Sequence, residues 1–211
     1  MPKIVCISDT HNHVFPLPEG DILLHSGDFS FTGNANELVK FDRWMEETDI
    51  EHKILVPGNH ELSFEEKPEL AVSVMENVTV LGHLPEFDGQ SIEIMGLKIW
   101  GEPRQPWFYD WAFNVPRGPE ADKIWEAVPD DIDIVVTHGP PYGMGDRTVR
   151  GENVGCTAQK RMIDRVQPKL VVCGHIHSGY GKYVRGNTLI VNASVCNEQY
   201  KNVNPPVVIN L

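Results

Sequence analysis

The sequence predicts an α/β fold with mixed sheets. Short apolar runs of buried-strand length recur from the N-terminus onward, and amphipathic helical stretches separate many of them. Hairpin-like pairs of runs lie in the middle and at the end. No internal repeat, low-complexity tract or linker breaks the pattern, so residues 1–211 read as a single domain. At 41% hydrophobic and 23% charged residues, the chain can bury a full core.

In chain order, Lys3 to Ser8 is rich in Ile and Val, reads as the first strand, and runs into Asp9-Thr10-His11-Asn12-His13. Asp21 to His25 is a second strand, opening into Ser26-Gly27-Asp28-Phe29. A helix follows, capped by Asn34 with Glu37 three residues on. Its apolar face (Leu38, Phe41, Trp44, Met45) is core packing. Lys53 to Val56 is a third strand, ended by Pro57-Gly58, and the turn presents Asn59, His60 and Glu61 side by side. A weaker helix from about Pro68 to Met75 precedes a strand at Val78 to Leu81.

Ser91 to Met95 and Leu97 to Gly101 form a hairpin hinged near Gly96. The segment Glu102 to Gly118 has three prolines and the aromatic run Trp107-Phe108-Tyr109-Asp110-Trp111. Pro119 starts a helix at its favoured first position, facing Ala121, Ile124, Trp125 and Val128 inward, and Pro129 stops it. Ile132 to Thr137 is a strand ending in His138-Gly139-Pro140-Pro141. A helix of about Thr157 to Val166 leads to the strand Leu170 to Cys173, which ends in Gly174-His175-Ile176-His177. Tyr183 to Arg185, Thr188 to Asn192 and Val207 to Asn210 are late strands.

Composition removes several function classes. The net charge of −12 (18 basic against 30 acidic residues) and the pI near 5.1 argue against a long nucleic-acid partner. A phosphate substrate stays compatible if a metal supplies the positive charge. The four cysteines form no C-x-x-C pair and read as reduced thiols of a cytoplasmic protein. The N-terminus enters a strand almost at once, leaving no room for a signal peptide, and no run is long enough for a membrane span.

Five apolar runs end in metal-ligand residue types: Asp9 and His11, Asp28, Asn59 with His60, His138, and His175 with His177. Gly27, Gly58, Gly139 and Gly174 beside them let backbone and metal come close. Carboxylates, an amide and imidazoles without a thiolate suit Mn, Fe, Zn or Mg rather than a closed structural zinc site. Seven candidate ligands (Asp9, His11, Asp28, Asn59, His138, His175, His177) exceed what one metal takes and match two divalent ions sharing a bridge.

The ordered set Asp9-x-His11, Gly27-Asp28, Gly58-Asn59-His60-Glu61, Thr137-His138 and Gly174-His175-x-His177 resembles the calcineurin-like metallophosphoesterase superfamily. The resemblance implies two mixed sheets packed face to face with helices outside. Pro106-Trp107-Phe108 through Pro116-Arg117-Gly118, Thr137 to Pro141, Gly179-Tyr180-Gly181 and Asn204-Pro205-Pro206 are similar to the metallophosphoesterase-domain-containing branch. Some animal members of that branch lack the first histidine of Gly-His-x-His, whereas this chain keeps His175. The resemblance implies that Asp9, His11, Asp28 and His177 hold the first metal and Asn59, His138 and His175 the second, with Asp28 bridging. A carboxylate has two oxygens and can bridge, whereas a neutral imidazole cannot. His60 is then the catalytic side chain, stabilising a phosphoryl oxygen or protonating the leaving oxygen.

The expected function is a dinuclear phosphodiesterase acting on small phosphodiesters, with cyclic nucleotides suggested by the branch, through in-line attack of a metal-bound hydroxide. Manganese is the first expected metal. The rivals are a phosphomonoesterase or protein phosphatase, and a non-catalytic metal-binding scaffold. His25 reads as a core histidine, and His13, His52 and His83 as surface residues. Glu61 reads as a brace for its loop or a neighbouring histidine. The Trp107–Trp111 run reads first as a packed loop and, functionally, as a platform on which Trp107 meets a nucleobase. Arg104, Arg117, Arg147 and Arg150 read as surface ion-pair formers. Arg104 is the first choice if one of them reaches a phosphate.

Overall fold

Both faces of the central strands are buried, which is why their apolar runs are continuous rather than alternating. The computed structural model describes residues 1–82 and 90–211. In chain order it contains β1 (Lys3–Ile7), β2 (Ile22–His25), α1 (Ala35–Glu46), β3 (His52–Leu55), α2 (Leu62–Glu66), α3 (Pro68–Val74) and β4 (Thr79–Val80). There follow β5 (Ser91–Ile94), β6 (Leu97–Glu102), β7 (Gln105–Pro106), β8 (Asn114–Val115), α4 (Pro119–Glu126), β9 (Ile134–Thr137) and α5 (Thr157–Val166). The chain closes with β10 (Leu170–Cys173), β11 (Gly181–Arg185), β12 (Thr188–Asn192) and β13 (Val207–Asn210).

The first sheet has the order β13-β1-β2-β3-β4, parallel except for β13. The second has the order β11-β12-β10-β9-β6-β5, with a parallel centre and antiparallel edges. Side-chain alternation then sorts the core. Ile4, Cys6, Ile22 and Leu24 face Ile134, Val136, Leu170 and Val172 in the layer between the sheets. Val5, Ile7 and Leu23 point to the other face, under Leu38, Phe41 and Met45 of α1. Val135, Val171 and Cys173 point outward beneath Ala121 and Trp125 of α4 and Met162 and Ile163 of α5. The result is the expected four layers: helices, two mixed sheets face to face, helices.

Local signals set the helix ends. Asn34 accepts from the Asn36 and Glu37 backbone N–H groups, and the Glu37 carboxylate accepts from the Asn34 N–H, a capping box worth about 1 kcal/mol. Pro119 opens α4, which stops at Glu126, short of Val128. Other boundaries move further. The strand expected at Val78 to Leu81 pairs over two residues only, and α2 forms where no helix was expected. The proline-rich segment carries the small parallel pair β7–β8. His25 is buried, with Nε2 3.0 Å from the Thr10 hydroxyl, as a core histidine should be. His13 and His52 are partly exposed, and His83 lies outside the described residues. Among the described residues no helix is long and apolar enough to cross a membrane.

Candidate metal centre

The parallel centres of the two sheets end at one common edge, and there the expected ligands meet. Asp9 and His11 follow β1, Asp28 follows β2, Asn59 and His60 follow β3, His138 follows β9, and His175 and His177 follow β10. Ligand atoms of Asp9, His11 and His177 lie within 4.8 Å of one another, as do those of Asp28, His138 and His175. A third group joins His11, Asp28 and His60 at the same spacing. Asp28 therefore stands between the groups, and His60 lies closer to the centre than its role as a non-ligand required. Asn59 Oδ1 is 3.0 Å from His138 Nε2, which adds the amide oxygen to the second group.

Four imidazoles are oriented by main-chain carbonyls. Nδ1 of His11 donates to the Ser30 carbonyl (3.0 Å), His60 to Phe31 (2.8 Å), His138 to Ser26 (2.8 Å) and His177 to Asn197 (2.8 Å). A carbonyl can only accept, so each Nδ1 carries the proton and each Nε2 is left for the centre. The carboxylates are held as firmly. Asp9 accepts from the Ser194 hydroxyl (2.7 Å) and the His175 N–H (3.0 Å), and Asp28 accepts from the His60 N–H (2.9 Å). Glu61 is fully buried and accepts from the N–H groups of Asp28 (2.8 Å), Gly58 (2.7 Å) and Ser30 (3.0 Å) and from the Ser30 hydroxyl (2.7 Å). It is the expected brace, acting on the loops rather than on a histidine.

The backbone is strained where the ligands are. Asp9 (φ 53°), His11 (40°), Asp28 (56°) and His175 (65°) all sit in the left-handed region, which non-glycine residues adopt at a cost. Close approach also needs the glycines. A Cβ on Gly58 would lie 2.2 Å from Asp28 Oδ1 and 2.8 Å from His138 Cε1, and one on Gly174 would lie 2.2 Å from Asp9 Oδ2.

The electrostatics fit a cation. Burial alone would raise both carboxylates, yet His177 beside Asp9 and His138 beside Asp28 hold them well below the usual range. Burial would likewise lower His138 and His177, but Asp28 and Asp9 hold each up at about 9. His138 Nε2 is 3.2 Å from Asp28 Oδ2, and His177 Nε2 is 3.2 Å from Asp9 Oδ1. Each proton bound there occupies the place of a cation between an imidazole and a carboxylate. His175, desolvated and beside His138, is pushed down to about 3 and stays a neutral donor. Burial and the Asp28 charge raise Glu61 to about 7. These His and Asp clusters fit a divalent metal site.

A cavity of about 220 Å³ opens over the centre, lined in part by Asp28, Asn59, His60, His175 and His177 and by Phe108, Glu198 and Tyr200. Trp107, expected as a substrate contact, is 63% exposed and does not line it. The next residues reach the site instead: the Phe108 ring stands edge-on to His175 (5.1 Å) and Trp111 lies 4.4 Å from His60. Asn114 pins this loop, accepting from the Phe108 N–H and donating to the carbonyls of Tyr109 and Trp111, each at 2.8 Å. Arg104 does not line the cavity either, since its guanidinium bonds both oxygens of buried Glu102 (2.7 and 2.8 Å). Sequence reasoning missed Tyr200, Glu198, Ser194 and Asn197, which follow the last of the candidate ligands, His177. A larger groove of about 520 Å³, between the 14–20 loop and the end of α1, contains no histidine.

Comparison with known proteins agrees with this architecture. Metallophosphoesterase domain-containing protein 1 of Homo sapiens is 40% identical over 233 residues, covering 99% of this chain and 71% of that protein. UPF0046 protein T07D4.2 of Caenorhabditis elegans is 33% identical, covering 99% of this chain and 60% of its own. A crystal structure of TT1561 of Thermus thermophilus superposes with a TM-score of 0.59 at 15% identity, covering 90% and 88% of the two chains, and shares the fold. The family model described as calcineurin-like phosphoesterase matches residues 2–179, which takes in every expected ligand. The chain belongs to the calcineurin-like phosphoesterase family.

Proposed function

We propose that the chain, as one domain, is a dinuclear metal-dependent phosphodiesterase acting on small phosphodiesters, with cyclic nucleotides among the candidates. The carrying observation is the position of Asp28, within ligand distance of His138 and His175 on one side and of His11 on the other. Asp9, His11, Asp28 and His177 would hold the first metal, and Asn59, His138 and His175, with Asp28 shared, the second. When bound, two divalent cations, manganese first and iron, zinc or magnesium as alternatives, supply water activation and charge neutralisation at phosphorus.

The chain's own residues do the rest. His60 keeps Nδ1 on the Phe31 carbonyl, so a second proton can reside only on Nε2, which faces the cavity. From there it donates to a phosphoryl oxygen or to the leaving ester oxygen. Among the described residues no lysine or arginine lines the cavity. A monoester dianion would find no permanently charged lysine or arginine for its extra charge, which supports a diester monoanion. The four cysteines are free and buried, which supports a reducing, cytoplasmic setting.

The test is hydrolysis of an aryl phosphodiester against the matching monoester by protein stripped and reloaded with Mn²⁺, with Asp28→Asn as control. Faster diester cleavage that disappears in the variant supports the proposal. Preference for the monoester replaces it with a phosphomonoesterase, and two bound metals without turnover replace it with a scaffold.

A further inference from the structure

The cavity wall beyond the ligands is built from two pinned loops that carry aromatic rings. Tyr200 has a left-handed backbone (φ 56°), unusual for an aromatic residue and a mark of enforced geometry. Asn197 enforces it. Its side-chain oxygen accepts from the N–H groups of Gln199 and Lys201 (3.0 Å each), and its carbonyl accepts from the Tyr200 N–H (2.8 Å) as well as from His177. The Tyr200 ring consequently stands edge-on to His11 (4.7 Å), His177 (5.8 Å) and His60 (6.3 Å). Phe108 stands over His175 from the Asn114-pinned loop. Both rings remain 42% exposed and line the same cavity.

Beyond the candidate ligands, the lining of this cavity carries one charged side chain, and it is negative. Glu198 lines the cavity and, among the described residues, its carboxylate has no hydrogen-bond or ion-pair partner. A free carboxylate beside a centre that binds phosphate opposes any purely anionic substrate. It suits a substrate whose phosphate is followed by a positive group. Aromatic rings and a carboxylate lining one cavity are also the surroundings that an alkylammonium ion favours. Glu198 and Tyr200 lie beyond residue 179, where the family match ends, whereas Phe108 lies within it.

Resting on the phosphodiesterase reading, we infer that the Phe108–Glu198–Tyr200 wall selects zwitterionic phosphodiesters, in which one ester group carries an ammonium ion. The phosphate lies at the metal centre, and the ammonium group lies between the two rings with Glu198 as its counter-ion. Tyr200 and Glu198 act here as specificity residues, outside the metal ligands.

The test uses the Mn²⁺-loaded full chain and two aryl phosphodiesters of the same shape, the choline ester and the dimethylbutyl ester in which carbon replaces nitrogen. The expected kcat/KM ratio favours choline by about tenfold, the combined scale of a cation–π contact and an exposed ion pair. Glu198→Gln and Tyr200→Leu should each cut that ratio to about threefold and the double variant should bring it close to one, whereas Tyr200→Phe should keep it. Calorimetric binding of the two non-aryl glycerol diesters gives a second readout. A choline preference in binding without hydrolysis of either ester upholds the wall and refutes the phosphodiesterase. Equal hydrolysis of both esters, unchanged in Glu198→Gln, overturns the wall and leaves the phosphodiesterase standing. Tighter Glu198-dependent binding of a cyclic nucleotide than of the choline ester also overturns it, because the carboxylate would then be reading a base.

Discussion

Substituting Gly58 by alanine tests whether the centre depends on close backbone approach. The new Cβ would lie 2.2 Å from Asp28 Oδ1, 2.5 Å from the Asp28 backbone nitrogen and 2.8 Å from His138 Cε1. Carbon and these atoms normally stay beyond about 3.5 Å, so the overlap with Asp28 Oδ1 is more than about 1 Å and that with His138 Cε1 about 0.7 Å. Neither neighbour can yield cheaply. The Asp28 N–H is bonded to buried Glu61, its carboxylate to the His60 N–H, and His138 to the Ser26 carbonyl. Overpacking of this kind costs about 1–3 kcal/mol. A shift of the Asp28 carboxylate by about 1 Å is also enough to reduce the proposed activity on the order of a hundredfold. Urea unfolding of the metal-free variant and Mn²⁺ titration read the two effects separately. Gly96→Ala is the control, since a Cβ there meets nothing within 4 Å and pays only for its positive φ. A Gly58→Ala protein with the wild-type unfolding midpoint, two tightly bound metals and full turnover would refute the close-approach argument.

Three further outcomes follow from the same geometry. Glu61→Ala strands the buried N–H groups of Asp28, Gly58 and Ser30, and should lower stability by about 3 kcal/mol and metal affinity by about 10- to 100-fold, measured by urea unfolding and metal titration. His138 and His177 titrate near 9 against an ordinary imidazole value of 6.5, so their ion pairs stabilise the metal-free fold fully below 6.5 and lose that contribution as pH rises through about 9. Each metal must displace one of these protons, so binding at pH 7 should release about one proton per site and tighten up to about pH 9; calorimetry in buffers of different ionisation enthalpy reads this, and zero release contradicts it. Trp111→Ala removes the ring that lies 4.4 Å from His60 and should lower kcat by roughly tenfold with KM nearly unchanged; a rise in KM at constant kcat would place Trp111 in substrate binding instead.

Much of the candidate site was legible because its ligands close apolar runs. Asp9, Asp28, His138 and His175 each follow strand residues that are buried on both faces, and a polar residue in that place stands out against the run before it. Asn34 with Glu37 was equally plain, since a capping box is local by construction. The short β4 and the β7–β8 pair were less clear, because two-residue pairings depend on neighbours far away in the chain. The aromatic run was visible, but which ring would face the centre was not. Asn114 decides that by turning the loop so that Phe108 and Trp111 face inward while Trp107 points to solvent.

By itself, the sequence determined the α/β class, the strand ends that carry ligands, and the chemical type of the centre. Those properties are written in periodicity, in glycine placement and in the choice of imidazole and carboxylate. Only the tertiary structure decided that His60 lies within ligand distance of Asp28, and that Asn197 and Tyr200 cover the His177 side. The orienting partners of His11, His60, His138 and His177 are main-chain carbonyls, which every residue possesses, so no side chain announces them. The part of the wall beyond residue 179 is likewise set by a pinned loop whose Tyr200 carbonyl meets His13 Nε2 at 2.9 Å, a long-range contact with no local signature.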